Sequence, residues 1–233
     1  MKKIFVIFVM LLTILLSSCT AVSLEPYRSA DTLGPLHLRV GGGFVGGFSS
    51  YANLSNDTLL DLGVFVPMAS VFAGIGITNN IDVYGSASFS LITNPVYGAS
   101  VKYKFFDRFG LKIAIVPTFK YNSNNNNDLG KYSTYGGELP FVLTYSFLNF
   151  LYLTGGIHTG YYKVSVYESV NTSYDFLSYG FFIMPEVKFF NLRFSLGCDL
   201  RYYESLKYKL IYSDDLNYFQ KHINPFLTIS FQF

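Results

Sequence analysis

Along most of this chain apolar and polar residues take turns. At the C-terminal end Ile223, Pro225, Leu227, Ile229, Phe231 and Phe233 fall on one parity, and His222, Asn224, Phe226, Thr228, Ser230 and Gln232 on the other. The preceding stretch repeats the pattern: Leu192, Phe194, Leu196, Cys198, Leu200 and Tyr202 alternate with Arg193, Ser195, Gly197, Asp199, Arg201 and Tyr203. Successive side chains of a strand point to opposite faces, so a period of two predicts strands with one apolar face. Laid along the chain, the template predicts ten strands, at roughly 35–49, 68–77, 81–91, 95–106, 110–121, 134–146, 150–164, 177–189, 192–206 and 221–233.

The connectors alternate as well. Long ones fall at 50–67, 122–133, 165–176 and 207–220, short ones at 78–80, 107–109, 147–149 and 190–191, and 92–94 is short where a long one is expected. Short turns at one rim and longer loops at the other mark a membrane barrel, and an even strand number returns both termini to one side. A helical alternative fails on local chemistry. The segments are rich in Phe, Tyr, Val, Ile and Thr, and Pro67, Pro117, Pro140, Pro185 and Pro225 would break helices. In strands each proline points to a bulge or a strand end; Pro117, in mid-segment, is the hardest to place. The expected fold is therefore all-β: a transmembrane antiparallel up-and-down β-barrel of about 10 strands over 35–233.

The two parities carry different chemistry. One face has no charge in the central part of any segment; the other carries Arg39, Asp82, Lys102, Lys104, Lys112, Lys120, Glu138, Glu186, Lys188, Arg193, Asp199 and Arg201, eight basic and four acidic residues. A Lys or Arg facing lipid at midplane costs about 2–4 kcal/mol, a sufficient cause for the exclusion. The apolar face is also too bulky to fill a ten-stranded interior, whereas the charged face is interspersed with Gly, Ser and Thr that fit a crowded lumen. The charged set is thus expected inside. Its ions either pair across strands, for example Glu186 with Arg193 across the turn at 190–191, or line a narrow passage with a mild anion preference.

Composition agrees. Half of the 233 residues are hydrophobic and mean hydropathy is +0.30, yet only 14% are charged. Beyond the N-terminus there is no apolar run of about 18 residues, so helical spans are not expected. There are 20 Tyr and 24 Phe but no Trp, so Tyr is expected to supply the interfacial belts alone. A net charge of +2 gives no basic field for nucleic acid.

The first residues read as an export signal. Lys2 and Lys3 precede an apolar stretch from Ile4 to Leu16, and Leu16-Ser17-Ser18-Cys19 resembles the bacterial lipobox, whose cysteine is acylated and becomes the mature N-terminus. This makes 1–18 a lipoprotein signal peptide and 19–34, polar and broken by Pro26, a periplasmic tether. With Cys19 acylated, Cys198 has no disulfide partner and is expected to act as a small hydrophobe.

No catalytic motif survives inspection. Gly41, Gly43 and Gly46 match GxGxxG, but inside an alternating strand with no helix after it. The three histidines share no ligand spacing, so no metal or other cofactor is expected. His158 is expected in the lumen. His222 with Asp214 and Asp215 is the nearest approach to a rim hydrolase, without the Asp-x-His spacing of omptin proteases; His158-Thr159-Gly160 lacks the serine of lipid A deacylases. The run Asn122-Ser123-Asn124-Asn125-Asn126-Asn127 reads as a solvated outer loop.

Three stretches carry a family likeness. Gly76-Ile77-Thr78-Asn79-Asn80-Ile81-Asp82-Val83-Tyr84 resembles a hairpin recurrent in bacterial outer-membrane β-barrel proteins, and Ser29-Ala30-Asp31-Thr32-Leu33-Gly34-Pro35 resembles the lead-in of lipoprotein-like barrels. Phe233, with Phe231, Ile229 and Leu227, resembles the signal read by the barrel-assembly machinery. The resemblance implies an outer-membrane barrel, with that machinery and membrane lipid as partners, and implies no activity. The expectation is a non-enzymatic outer-membrane lipoprotein, structural or a narrow pore with a charge-filled lumen. The alternatives are a surface adhesin or receptor acting through its loops toward an unidentified extracellular partner, or an outer-membrane hydrolase. Labelling cells with radioactive palmitate tests the anchor: the unaltered chain incorporates label and Cys19→Ala does not.

Overall fold

A computed structural model describes residues 28–50, 63–90, 94–124, 131–167, 171–205 and 219–233. The signal segment, Cys19, the tether as far as residue 27, the Asn125–Asn127 part of the asparagine run, Asp214 and Asp215 all lie outside them, as does the side chain of His222. The strands are β1 (Leu38–Ser50), β2 (Gly63–Gly76), β3 (Ile81–Ser90), β4 (Val96–Arg108), β5 (Leu111–Ile115), β6 (Thr118–Asn124), β7 (Lys131–Leu148), β8 (Leu151–Tyr167), β9 (Asn171–Phe189), β10 (Leu192–Ser205) and β11 (Phe219–Gln232). Every pairing is antiparallel; apart from β4 with β6 and β5 with β7 the strands pair with chain neighbours, and β1 also pairs with β11, Arg39 opposite Gln232 and Val45 opposite Phe226. The sheet is therefore closed on itself, and among the described strands none is left as an open edge.

Eleven strands make ten places in the wall. β5 and β6 both lie between β4 and β7, Ile115 opposite Tyr103 and Thr118 opposite Ser100. They are one strand interrupted at Val116-Pro117, which answers the puzzle of the mid-segment proline. Pro117 has no N–H to give, but its carbonyl still accepts from Val101 N at 3.0 Å, and Val116 N donates to Pro140 O at 2.9 Å. The register runs through the gap without slipping, so inward and outward parity is kept. Parity changes at another place: a bulge between Lys104 and Phe106 turns Phe105 and Phe106 outward together.

The ladders run further than the hydrophobic pattern. β7, β8 and β9 have 18, 17 and 19 residues, where about 9–11 span a bilayer. Tyr167 pairs with Asn171, so the connector expected at 165–176 is mostly hairpin. The polar residues there, Ser165 and Ser173 among them, carry no period-two signal, yet their backbone groups still pair. At the opposite rim the turns are tight. Phe109 and Gly110, at φ 54° and 75°, give the left-handed pair that matches strand twist in a two-residue hairpin.

Outside, the wall is apolar. Val71, Leu139, Ile157, Phe181, Ile183, Leu196 and Ile229 are among many large hydrophobics left exposed. Two aromatic girdles bound this belt. At the short-turn rim it consists mainly of phenylalanine, with Phe105, Phe109, Phe147, Phe150, Phe189, Phe190 and Phe233 exposed; toward the long-loop rim it is tyrosine, with Tyr97, Tyr121, Tyr135, Tyr161 and Tyr179. Tyrosine thus does not supply both belts alone. Its hydroxyl needs a polar partner, as Tyr161 finds in Asp175 at 2.8 Å, whereas phenylalanine ends the belt without one. Replacing Ile157, in mid-strand and 62% exposed, by Arg should destabilise the refolded barrel by about 2–4 kcal/mol, read from urea unfolding in lipid vesicles.

Candidate functional site

With the outside given to lipid, the remaining chemistry is in the lumen. Of the twelve charged residues expected there, Arg39, Asp82, Lys102, Lys120, Glu138, Glu186, Arg193, Asp199 and Arg201 are buried in it. Lys104, Lys112 and Lys188 lie nearer the short-turn rim and are partly exposed; Lys104 pairs with half-exposed Asp107 at 2.7 Å. Phe231 and Phe233 sit at that rim with their rings 4.6 Å apart, and Phe233 N donates to Leu38 O where the barrel closes.

One ionic chain crosses the wall strands on the long-loop side. Lys120 Nζ donates to Glu138 Oε2 at 2.9 Å, Arg201 Nη1 donates to Glu138 Oε1, and Arg201 Nε donates to Asp199 Oδ2 at 3.1 Å. His158 Nε2 stands 2.8 Å from Asp199 Oδ1. The chain links β6, β7, β10 and β8 and draws two cations against two carboxylates. Room for these side chains comes from glycine at facing positions: a Cβ on Gly180 would lie 2.9 Å from His158 Nε2.

A second ionic cluster lies toward the short turns, and its centre was not visible in the alternation. Residues 28–33, expected as part of a free tether, are inside the barrel. Arg28, Ser29, Ala30 and Leu33 are buried. Asp31 bridges two wall cations, accepting from Lys112 Nζ at 2.8 Å and from Arg193 Nη2 at 2.5 Å, while Lys102 Nζ donates to its carbonyl at 2.8 Å. Ala30 N donates to Thr144 Oγ1 at 2.8 Å, and Leu33 N donates to Asp82 Oδ1 at 3.1 Å. The Arg28 guanidinium lies over the Tyr84 ring at 3.9 Å and donates to Ser100 Oγ at 3.2 Å. Gly76 allows the entry: a Cβ there would lie 1.8 Å from Gly34 O. The tether goes inside because its Asp31 carboxylate and its backbone groups find partners on the wall there; with Arg28 beside Asp31, the segment adds no net charge. The wall's surplus of basic residues was the one signal in the sequence that a further carboxylate was needed.

Burial alone would push the Asp31 carboxyl up, but Arg193 and Lys112 outweigh it and hold the group well below the ordinary carboxylate range. A carboxylate depressed in this way contributes stability above its unfolded pKa and loses it only as pH falls through the folded one. The Asp31 bridge therefore stays charged at any physiological pH. Arg193 also donates to Glu186 Oε1 at 2.7 Å, the pair expected across the 190–191 turn.

Apolar side chains fill the space between walls. Val45, Met68, Met184 and Phe226 form one cluster with Val96 against it; Ala30, Ala114, Val116, Val142 and Phe182 form another. Met68 on β2 and Met184 on β9 belong to nearly opposite walls, so the first cluster reaches across the lumen. His158, Asp199 and Ser178 are a His–Asp pair with a hydroxyl on the neighbouring strand, but all three are at most 3% exposed. Among the described residues, no three His, Cys, Asp or Glu side chains converge as a metal site requires. Cys198 is half-buried on the wall and free.

A closed antiparallel barrel with an apolar belt outside and paired charge within is a transmembrane β-barrel of the outer-membrane type. No family model and no curated protein matches the chain. Solved structures similar to it include the outer-membrane protease OmpT of Escherichia coli, at 9% identity over 91% of this chain and 100% of that one, with a TM-score of 0.42. Neisserial surface protein A matches at 10% identity over 84% and 95%, with a TM-score of 0.39. The attachment invasion locus protein Ail of Yersinia pestis matches at 15% over 85% and 99%, with a TM-score of 0.33. Likenesses this distant add nothing to the reading of the site.

Glu138, 5% exposed, joins both cations of the first ionic chain. Glu138→Ala leaves Lys120 and Arg201 buried without it and should cost about 3–5 kcal/mol in urea unfolding. Lys104→Ala, at the partly exposed pair with Asp107, should cost under about 1 kcal/mol.

Proposed function

We propose that this chain is a non-enzymatic barrel of the bacterial outer membrane, structural in role, whose lumen is closed in its resting state. The observation that carries the reading is the filled interior: two ionic clusters, an apolar cluster between opposite walls and an N-terminal segment occupying the short-turn end. Ten strands enclose little more than the side chains they point inward, while open channels are found at about 16–18 strands. A hydrolase is disfavoured because the buried polar groups are covered from any substrate.

The outer-membrane location is supported by the apolar belt, its two aromatic girdles and the terminal Phe233. In this reading the short-turn rim, with both ends of the barrel, faces the periplasm. Lipid anchoring through Cys19 fits the same orientation, since residues 19–27 are long enough to join an inner-leaflet lipid to Arg28 at about 3.3 Å per residue. Planar-bilayer recording of the refolded, unaltered chain tests the closed barrel: no conductance steps above background are expected. Regular steps at moderate voltage would overturn it.

A further inference from the structure

The short-turn end of the lumen holds more positive charge than its pairs consume. The wall there contributes Arg39, Lys102, Lys112, Lys188 and Arg193 against Asp82 and Glu186. The inserted segment adds Arg28 and Asp31, which cancel each other and leave the excess in place.

Two guanidinium groups in this chamber also keep unused donors. Arg39 and Arg193 are each 2% exposed, and the Nε of each has no hydrogen-bond partner among the described residues. They flank the same strand, Arg39 opposite Gln232 and Arg193 opposite Ser230 of β11. A buried N–H left unmade costs about 1–3 kcal/mol, so two of them on neighbouring strands of one basic end of the lumen call for an acceptor. The chamber is reachable from the rim: the Asp31 and Lys112 side chains retain 17% and 19% of their surface.

The group now filling the chamber is itself an oxyanion. Asp31 presents two oxygens, one to Lys112 and one to Arg193, the arrangement a free carboxylate or phosphate would adopt. We propose that this chamber is a periplasm-facing binding site for a small oxyanion, phosphate or a short carboxylate, and that residues 28–33 are its built-in competitor, with the Asp31 carboxylate in the ligand's place. A tethered competitor acts at an effective concentration of about millimolar, so a free anion wins only when abundant or when the segment is drawn out. The apolar cluster of Val45, Met68, Met184 and Phe226 closes the far side, which makes the chamber a vestibule and not a channel.

This inference takes its orientation from the closed outer-membrane barrel proposed above, but its test reads stabilisation and not conductance, so the two fail separately. Full-length protein and Asp31→Ala are refolded, and the thermal unfolding midpoint is followed with sodium phosphate, sodium acetate and sodium chloride at matched ionic strength. Asp31→Ala should gain about 5 °C at saturating phosphate or acetate and nothing from chloride, while the unaltered chain should need at least about tenfold more anion for the same gain. Adding Arg39→Gln to Asp31→Ala should raise the phosphate concentration required. Gly76→Ala supplies a second arm should Asp31→Ala not refold. Its methyl group displaces Gly34 and with it the segment, leaving every charge intact, and it should respond to phosphate as Asp31→Ala does. Equal responses from the variants and the unaltered chain, or an equal rise in chloride, would overturn the proposal.

Discussion

A charge can neither face hydrocarbon nor stay unpaired in a dry lumen, and nearly everything in this molecule follows from that pair of prohibitions. The first sends Lys, Arg, Asp and Glu to one parity of each membrane-spanning strand. The second makes them meet across strands once the sheet has closed. Lys120, Glu138, Arg201 and Asp199 come from three different strands, β6, β7 and β10, and form one connected line. The ion pairs are therefore also a check on register: a strand displaced by one residue would turn its charges into lipid and orphan their partners.

The same constraint explains why the N-terminal segment is indoors. The wall nearest the short turns is too basic to satisfy itself, and Asp31 closes the circuit between Lys112 and Arg193. In doing so it brings Ser29, Ala30 and Leu33 into contact with the wall, and it turns what would be a water-filled mouth into a packed one. Closure of the barrel and occupancy of its mouth thus have a single electrostatic cause. The feature with most bearing on function is the surplus that remains after every visible pair is made.

The alternation made the architecture legible before any coordinates. Strand number, the identity of the inward face, the Glu186–Arg193 pair and the inward placement of His158 all follow from a period of two combined with short turns, because the pleat offers only two directions. Other features were hidden for reasons equally physical. The extension of β7, β8 and β9 is held by backbone bonds between residues polar on both faces, so no side-chain pattern announces it. The phenylalanine girdle was missed because the membrane-water boundary depends on which turn lies at which rim.

What the sequence determined by itself was the partition of residues between lipid and lumen, since a local repeat fixes it strand by strand. What only the tertiary structure decided was who meets whom inside. Lys112 and Arg193 are 81 residues apart in the chain, and Asp31 precedes both by more than a strand; nothing local relates them. They converge because the closed sheet brings β5 and β10 around one narrow axis, and because a buried carboxylate there is stable only between two cations.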